Sequence, residues 1–472
     1  MGESNSEGCT SEDHARVPRR PLAGPSRTAT TNVPIVGLGC SSFSTFFWTP
    51  QEQQAISGSN SNAFTVDSLD RSHPRVQEWI KTIHYAILDA GITLLDTAPW
   101  YGHGTSEKVI GWALSELLYD DHSDHNQFSK GSKAVRREDL IINTKVGRYE
   151  AEPAKQFDFS RQTTIESARR SCERMQGIDY IDVLQLHDPE FAPSLSPLLL
   201  EETIPGLLDC RDKFKYCRAI GITGYPLHVQ HQILQASFEK YGQNIWDQAL
   251  TYCHYNLVDT SLFDQRYFLR PSADAKGDES DASELLSFAD YCASFRDSAT
   301  HNINLFAAAP LGMGLLTRAG PPGWHPADQS LKDACRNASK VCDDAGVDVS
   351  TLALLFAFSN PRIPCTILGM KNVEEVRAVQ SVALRFNSLK GTSQTSTNEM
   401  LDVVSDAKEK QALEMVRDTS AGPFASLWKT GNFEWDGVAE AHKFWSQNLP
   451  EVQVKDWQTR PEKHLREKER AK

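Results

Sequence analysis

Long apolar runs are missing from this chain. The longest unbroken one, LALLFAF at 352–358, falls far short of the ~18 residues a membrane helix needs, so no membrane span is expected. The opening MGESNSEGCTSEDHARVPRR is polar, acidic before it turns basic, and lacks the apolar core of a secretory signal. The expectation is a cytoplasmic protein. The ten cysteines stand singly, with no CxxC and no short His/Cys cluster, so neither a disulfide framework nor a metal site is read here. Positive charge is also short: 49 Lys and Arg face 62 Asp and Glu, for a formal net charge of −13. That balance removes the basic face a nucleic acid partner requires, and the closing RPEKHLREKERAK reads as a solvated tail. No GxGxxG follows any strand-like segment, which speaks against a doubly wound dinucleotide fold.

What the chain does have is a rhythm. Across 472 residues, 40% of them hydrophobic, short β-branched or apolar runs alternate with longer amphipathic ones, the pattern of βα units around a parallel sheet. Eight such runs are candidate strands: PIVGLG from Pro34, TLLD from Thr93, LIINTK from Leu140, IDVLQLH from Ile181, CRAIGIT from Cys217, QALTY from Gln248, INLFAAA from Ile303 and PCTILG from Pro364. Between them lie helical patterns such as RVQEWIKTIHYAILDAG, where Val76, Ile80, Ile83 and Ile87 share a face and Gly91 marks the stop. Eight strands each followed by a helix predict a closed (β/α)8 TIM barrel with long loop insertions and a C-terminal extension. The polar residues 1–32 are expected to stay disordered, 33–385 to form the barrel, and 386–472 to extend it, with the aromatic FASLWKTGNFEWDGVAEAHKFW packing back. Residues 41–72 follow the first strand and belong at the barrel mouth, 120–137 precede a strand and belong at the far end, and DQRYFLRPSADAKGDESDAS after the sixth strand reads as a loop.

In a barrel the C-terminal strand ends build the active site. Three consecutive strands end in polar groups: the second at Asp96 with Tyr101 in its loop, the third at Lys145, the fourth at His187. Singly, an aspartate there is a turn former, a lysine a solvated end and a histidine a core residue. Together on one rim they form a proton-transfer unit. A phenol of reference pKa ~10 is a poor acid or base at neutral pH; an ammonium beside it pulls that value down, and a carboxylate keeps the ammonium charged. Asp96 and Lys145 suit those roles, and His187 can orient a substrate oxygen. The loops after the seventh and eighth strands, APLGMGLLT and GMKN, are the positions where a barrel holds phosphate, which singles out Pro310, Leu311, Gly312, Gly314, Leu316, Gly369, Lys371 and Asn372.

The segments LLDTAPWYGHGTSEKVIGWAL, IINTKVG and LQLHDPE resemble the signatures of the aldo-keto reductases, nicotinamide-dependent barrel oxidoreductases with an Asp, Tyr, Lys, His tetrad. The resemblance spans about residues 34–385 and implies those roles for Asp96, Tyr101, Lys145 and His187. AIGITGYP, TYCHYN, PLGMGLLTRAGPPGWHPA and ILGMKNVEEV are similar to the branch of plant L-galactose dehydrogenases and fungal D-arabinose dehydrogenases, which oxidise the anomeric carbon of a free aldose to the lactone. Two departures stand out. Where many relatives grip the nicotinamide carboxamide with Ser-Asn, this chain has Thr223-Gly224, and where they carry Gln it has Tyr252; Thr223 and Tyr252 remain candidate contacts. NADP-preferring members place an arginine past the eighth strand, where Glu374, Glu375 and Val376 stand before Arg377. Two carboxylates repel a 2′-phosphate, so the cofactor expected is NAD, with NADP kept open by Lys371. Trp100 and, in the first loop, Phe46 to Trp48 are candidate stacking partners for a sugar face, with Trp48, Trp100 and His187 as substrate contacts. The partner expected is a small-molecule aldose or aldehyde, the protein a monomer without nucleic acid or membrane. The alternatives are a reductase of aldehydes such as pyridoxal and a non-catalytic, cofactor-sensing regulatory subunit.

Overall fold

A computed structural model describes residues 15–22, 31–44, 66–118, 135–176, 178–268, 285–297, 302–389, 404 and 406–458. Twelve strands occur among them: β1 (Arg19–Pro21), β2 (Asn32–Pro34), β3 (Val36–Gly39), β4 (Leu94–Asp96), β5 (Ile141–Val146), β6 (Ile181–His187), β7 (Cys217–Gly224), β8 (Gln248–Tyr252), β9 (Arg266–Phe268), β10 (Leu286–Ser287), β11 (Asn304–Ala308) and β12 (Thr366–Gly369). Eight of these close into a parallel barrel in the order β11-β12-β3-β4-β5-β6-β7-β8. Each expected strand is one of the staves. The seam closes where β3 pairs with β12, Gly39 opposite Gly369.

The staves enclose an apolar plug of Val33, Leu94, Ile141, Leu250, Phe306, Cys365 and Ile367. A methyl group on Gly37 would lie 2.6 Å from Ile367 Cδ1 and 2.8 Å from Leu94 Cδ2, so only glycine leaves room for that plug. Around the barrel run α1 (Pro74–Leu88), α2 (Thr105–Ser115), α3 (Arg161–Arg174), α4 (Ile204–Asp212), α5 (Leu227–Tyr241), α6 (Gln329–Ala345), α7 (Val349–Phe358) and α8 (Val373–Leu384). The predicted stripe on α1, Val76, Ile80, Ile83 and Ile87, is buried against the staves. Asp328, Asp348 and Asn372 cap α6, α7 and α8 by accepting hydrogen bonds from Leu331, Thr351 and Glu375 N–H groups.

Two sequence expectations change. Residues 15–22, assigned to a disordered leader, are ordered: β1 pairs antiparallel with β2, and Val17 N–H donates to Ala90 O at 2.9 Å. Val17 is buried in the core, and Arg20 secures the segment further by donating to the Phe358, Asn360 and Ile363 carbonyls at the entry to β12. The hairpin thus sits under the N-terminal end of the barrel, and Pro34 closes it while the first stave starts at Val36. Past the sixth stave, β9 at the start of the expected loop pairs with β10 just beyond its end. Residues 119–134, most of the expected far-end insertion, and 45–65, most of the mouth loop, lie outside the described residues.

Beyond α8, three helices cover one flank: α9 (Ala407–Val416), α10 (Ala425–Thr430) and α11 (Gly437–Asn448). Ala412, Leu413, Val416, Phe424 and Leu427 share a cluster with Leu331, Ala334, Ala338 and Cys342 of α6. Phe444 and Trp445 of α11 pack on Phe157 and Phe191, whose own rings stack at 4.4 Å. No helix among the described residues is long and apolar enough to cross a membrane.

Candidate active site

At the C-terminal rim, β4 ends in Asp96 and the chain turns sharply, with Gly102, His103 and Gly104 all in the left-handed region. That run swings the backbone into α2 within one turn and leaves Tyr101 at the rim. Thr97 Oγ1 lies 2.8 Å from Ser106 Oγ, and Ser106 Oγ donates to Cys40 O at 2.9 Å, so the turn is tied to the chain just past β3. The apolar strand gives way to Asp-Thr-Ala-Pro-Trp-Tyr here because the barrel interior ends and a polar cavity begins.

The four expected catalytic side chains converge. Lys145 Nζ, almost wholly buried, donates to Asp96 Oδ1 at 2.5 Å, Thr97 O at 2.7 Å and Tyr101 OH at 3.2 Å. Asp96 Oδ2 accepts from Gln185 Nε2 at 2.9 Å, and Gln185 Oε1 accepts from Gln248 Nε2 at 3.1 Å, so a polar chain crosses the barrel from β4 through β6 to β8. The His187 ring stands edge-on to Tyr101 with centroids 6.1 Å apart.

Burial would discharge Lys145, but the Asp96 carboxylate and the phenol outweigh it and hold the ammonium above its ordinary range. For Tyr101 the net direction runs opposite to the sequence expectation. Burial pushes the phenol above its usual value, with Lys145 pulling against it and Asp96 reinforcing the rise. The phenol therefore carries its proton at neutral pH. Burial brings His187 down to about 3, against the pull of Asp188, so its ring is neutral.

These groups line a cavity of about 950 Å³, within the range of small-molecule sites. It continues from the tetrad past Leu311, Gly314 and Thr317 to Gly369, Lys371 and Asn372 at the N-terminus of α8. Thr223, Tyr252 and Trp100 line it as expected, whereas Pro310, Gly312 and Leu316 do not. Leu316 is instead fully buried in the core beside α6. Trp48 lies outside the described residues.

Several cavity residues escaped the sequence reading. Arg75, Glu78 and Trp79 come from the first turns of α1, and Trp324 from the loop after β11 is 60% exposed at the mouth. Arg148 directly follows IINTKVG and Asp188 lies inside LQLHDPE, segments whose expected site residues are Lys145 and His187. Arg148 NH1 donates to Asp188 Oδ2 at 2.7 Å, and the guanidinium stacks 4.1 Å from the Trp100 ring. Behind them lies Glu190, buried, with Oε1 accepting from Tyr225 N at 3.2 Å and Oε2 without a donor among the described residues. Burial and the nearby Asp188 charge push the Glu190 carboxyl up to about 8. A Cβ on Gly224 would lie 2.7 Å from that Oε2, so the glycine in the Thr-Gly departure makes room for this carboxyl.

The loop carrying Asp188 and Glu190 is fastened by the far end of the chain. Gln458 Nε2 donates to Glu190 O at 2.9 Å, Trp445 Nε1 to Phe191 O at 2.9 Å, Trp457 Nε1 to Ala192 O at 2.8 Å and Lys455 N to Pro193 O at 2.9 Å. On the adjacent loop, Trp435 stacks on Tyr225 at 3.9 Å. His254, Asp259 and Glu434 bring possible ligand atoms within 4.8 Å of one another. Both His254 nitrogens are engaged, however: Nε2 with Tyr225 O at 2.6 Å and Nδ1 with Ser261 Oγ at 2.8 Å beside Asp259. His254, held from behind by Ser261 and Asp259, thus tethers Tyr225.

The profile of the aldo/keto reductase family matches residues 68–390. L-galactose dehydrogenase of Arabidopsis thaliana is 33% identical over 318 residues, covering 67% of this chain and 82% of that protein. D-arabinose 1-dehydrogenase of Saccharomyces cerevisiae is 30% identical over 290 residues, covering 61% and 71%. A putative voltage-gated potassium channel subunit beta of Schizosaccharomyces pombe is 26% identical over 302 residues, covering 62% and 77%.

Proposed function

The chain belongs to the aldo/keto reductase family and is a nicotinamide-dependent oxidoreductase; from that premise we propose that it oxidises the anomeric carbon of a free aldose, with NAD as acceptor and Tyr101 as the proton-transfer group. The observation that carries the reading is the Lys145 ammonium bridging Asp96 and Tyr101 inside the cavity that His187 also lines.

The residues present fit a dinucleotide. One continuous cavity joins the tetrad to a helix N-terminus, whose amide groups and partial positive charge suit an anion. Leu311, Gly314, Thr317, Gly369, Lys371 and Asn372 would hold the phosphate and adenosine end, and Thr223 and Tyr252 the nicotinamide end. When bound, the nicotinamide supplies an acceptor for the hydride that leaves C1.

The chain's own groups manage the proton. His187, neutral, donates from Nε2 to the oxygen on C1 and holds it toward Tyr101. In oxidation the Tyr101 oxygen takes the hydroxyl proton while C1 gives up hydrogen with its electron pair, and the product is the lactone. In reduction the protonated phenol returns that proton. Lys145 stabilises the phenolate that oxidation requires, and Asp96, fixed by Gln185, keeps Lys145 charged and aimed. Positioned transfer of this kind is worth about 10²–10⁴ in rate.

The preference for NAD rests on Glu375. Its carboxylate takes the Lys371 backbone N–H at 2.9 Å and the Lys371 ammonium at 3.3 Å, which neutralises the one cation at the α8 terminus among the residues lining the cavity there. Arg377 points elsewhere, stacked 5.0 Å from the Tyr85 ring. A 2′-phosphate would meet a carboxylate, whereas a ribose 2′-hydroxyl can donate to it.

The test is turnover of L-galactose, D-arabinose, L-fucose and L-xylose with NAD and with NADP, followed by nicotinamide absorbance. Oxidation of at least one aldose, faster with NAD and lost in Tyr101→Phe, is the expected result. Reduction of pyridoxal with no aldose oxidised would overturn the substrate class, and unchanged turnover in Tyr101→Phe would overturn the role of the phenol.

A further inference from the structure

Asp188 holds an acceptor that the tetrad leaves unused. Its backbone is left-handed, at φ 48°, immediately after His187, and this turn brings the carboxylate back beside the imidazole instead of letting it follow the strand. Oδ2 is taken by Arg148 at 2.7 Å. Oδ1 lies 3.6 Å from His187 Nε2, beyond hydrogen-bond range, and nothing among the described residues donates to it. Both Asp188 and Arg148 line the cavity with Tyr101 and His187.

We propose that Asp188, held by Arg148, selects substrates with a hydroxyl on the carbon next to the reacting one, by accepting that hydroxyl's hydrogen bond at Oδ1. The inference rests on the aldose reading above and narrows it. With the C1 oxygen held at His187 Nε2 and its proton directed to Tyr101, an acceptor 3.6 Å from that nitrogen lies beside the groups that flank C1. In a cyclic aldose these are the ring oxygen and the C2 hydroxyl. An ionised carboxylate can only accept, and the ring oxygen has nothing to donate, so the C2 hydroxyl is the partner that fits.

Ionisation follows from the surroundings. Burial opposes it, but His187 and Arg148 together hold the carboxyl below its ordinary range. Because the His187 ring is neutral at neutral pH, the guanidinium is what keeps Asp188 charged there. Arg148 is itself fixed by stacking on Trp100 and by the Phe157 ring at 5.2 Å, and it acts as a positioning residue. Hydrogen bonds to a charged acceptor are about twice as strong as neutral ones, and a site built for a hydroxyl penalises its absence steeply.

The experiment compares kcat/KM for L-galactose against 2-deoxy-L-galactose, and for D-arabinose against 2-deoxy-D-ribose, which is D-arabinose without its C2 hydroxyl. The wild-type enzyme should favour the parent sugar by about a hundredfold or more. Asp188→Asn suits the left-handed backbone and turns its amide oxygen to Arg148, leaving an N–H2 where the acceptor stood; the preference should drop below about tenfold, chiefly through KM. Arg148→Met should lower the ratio too and Arg148→Lys should restore much of it, so the result does not depend on one variant folding. A wild-type preference under about tenfold, or the same ratio in Asp188→Asn and Arg148→Met as in the wild type, would overturn the proposal while leaving aldose oxidation standing. If no aldose is oxidised at all, the underlying substrate class has failed instead.

Discussion

Replacing Glu190 by Gln should make the protein more stable at alkaline pH and leave it nearly unchanged under mild acid. The wild-type carboxyl, ordinarily near 4.5, is held at about 8 in the fold. Between those values the folded chain retains a proton that the unfolded chain has lost. Stability present in full below pH 4.5 is therefore lost as pH rises toward 8, at about 1.4 kcal/mol per pH unit and on the order of 5 kcal/mol over the interval. In the Glu190→Gln variant the amide oxygen would still accept from the Tyr225 N–H, and the side chain would never charge. Denaturant melts of both proteins from pH 5 to 9 check this, read as the difference between the two curves so that other titrating groups cancel. The gap should open from about 1 kcal/mol or less at pH 5 to several kcal/mol in favour of the variant above pH 8. Two curves that stay parallel across that range would refute the reasoning, because they would mean that Glu190 ionises in the fold as readily as in water.

Other outcomes follow from the same geometry. Because burial raises the Tyr101 phenol, aldose oxidation should climb with pH through the alkaline range while the reductive direction falls, which pH profiles of both directions would show. Lys145→Met strands the Asp96 carboxylate, a loss of about 3–5 kcal/mol in denaturant melts, and adding Asp96→Asn should recover much of it. Trp457→Phe removes the indole donor to Ala192 O and should cost about 1–3 kcal/mol, seen locally as faster amide exchange at 188–193. Glu375→Ser should free Lys371 and narrow the NAD to NADP ratio of kcat/KM by about tenfold or more, with NAD turnover little changed.

The eight staves were legible because each carries a short β-branched or apolar run between helical patterns, and a parallel strand buried on both faces needs little else. Asp96, Tyr101, Lys145 and His187 were legible because polar residues at successive strand ends have few structural uses. Residues 15–22 were misread because their anchors lie far off in the chain, Ala90 for Val17 and, more than 300 residues away, the carbonyls that Arg20 reaches, which no local window contains. Leu316 was assigned to the cofactor loop on its neighbourhood alone, yet a leucine there satisfies the core beside α6. Arg148 stands three positions past Lys145 and Asp188 directly after His187. Their meaning lies in the ion pair, and pairing across adjacent strands is invisible until the register of β5 and β6 is set. Glu190 closes the LQLHDPE segment, yet nothing local marks it as buried, since a glutamate in a loop normally faces water.

The fastening of residues 190–193 by donors from 445–458 has a consequence for how the enzyme comes into being. A ribosome works from the first residue to the last, so every member of the tetrad has emerged long before the clamps on the His187 loop exist. A nascent chain halted short of Gln458 would already carry Asp96, Tyr101, Lys145 and His187 and still lack the donor to Glu190 O. The fastening of this loop thus trails the loop itself, a late event written into the order of the chain.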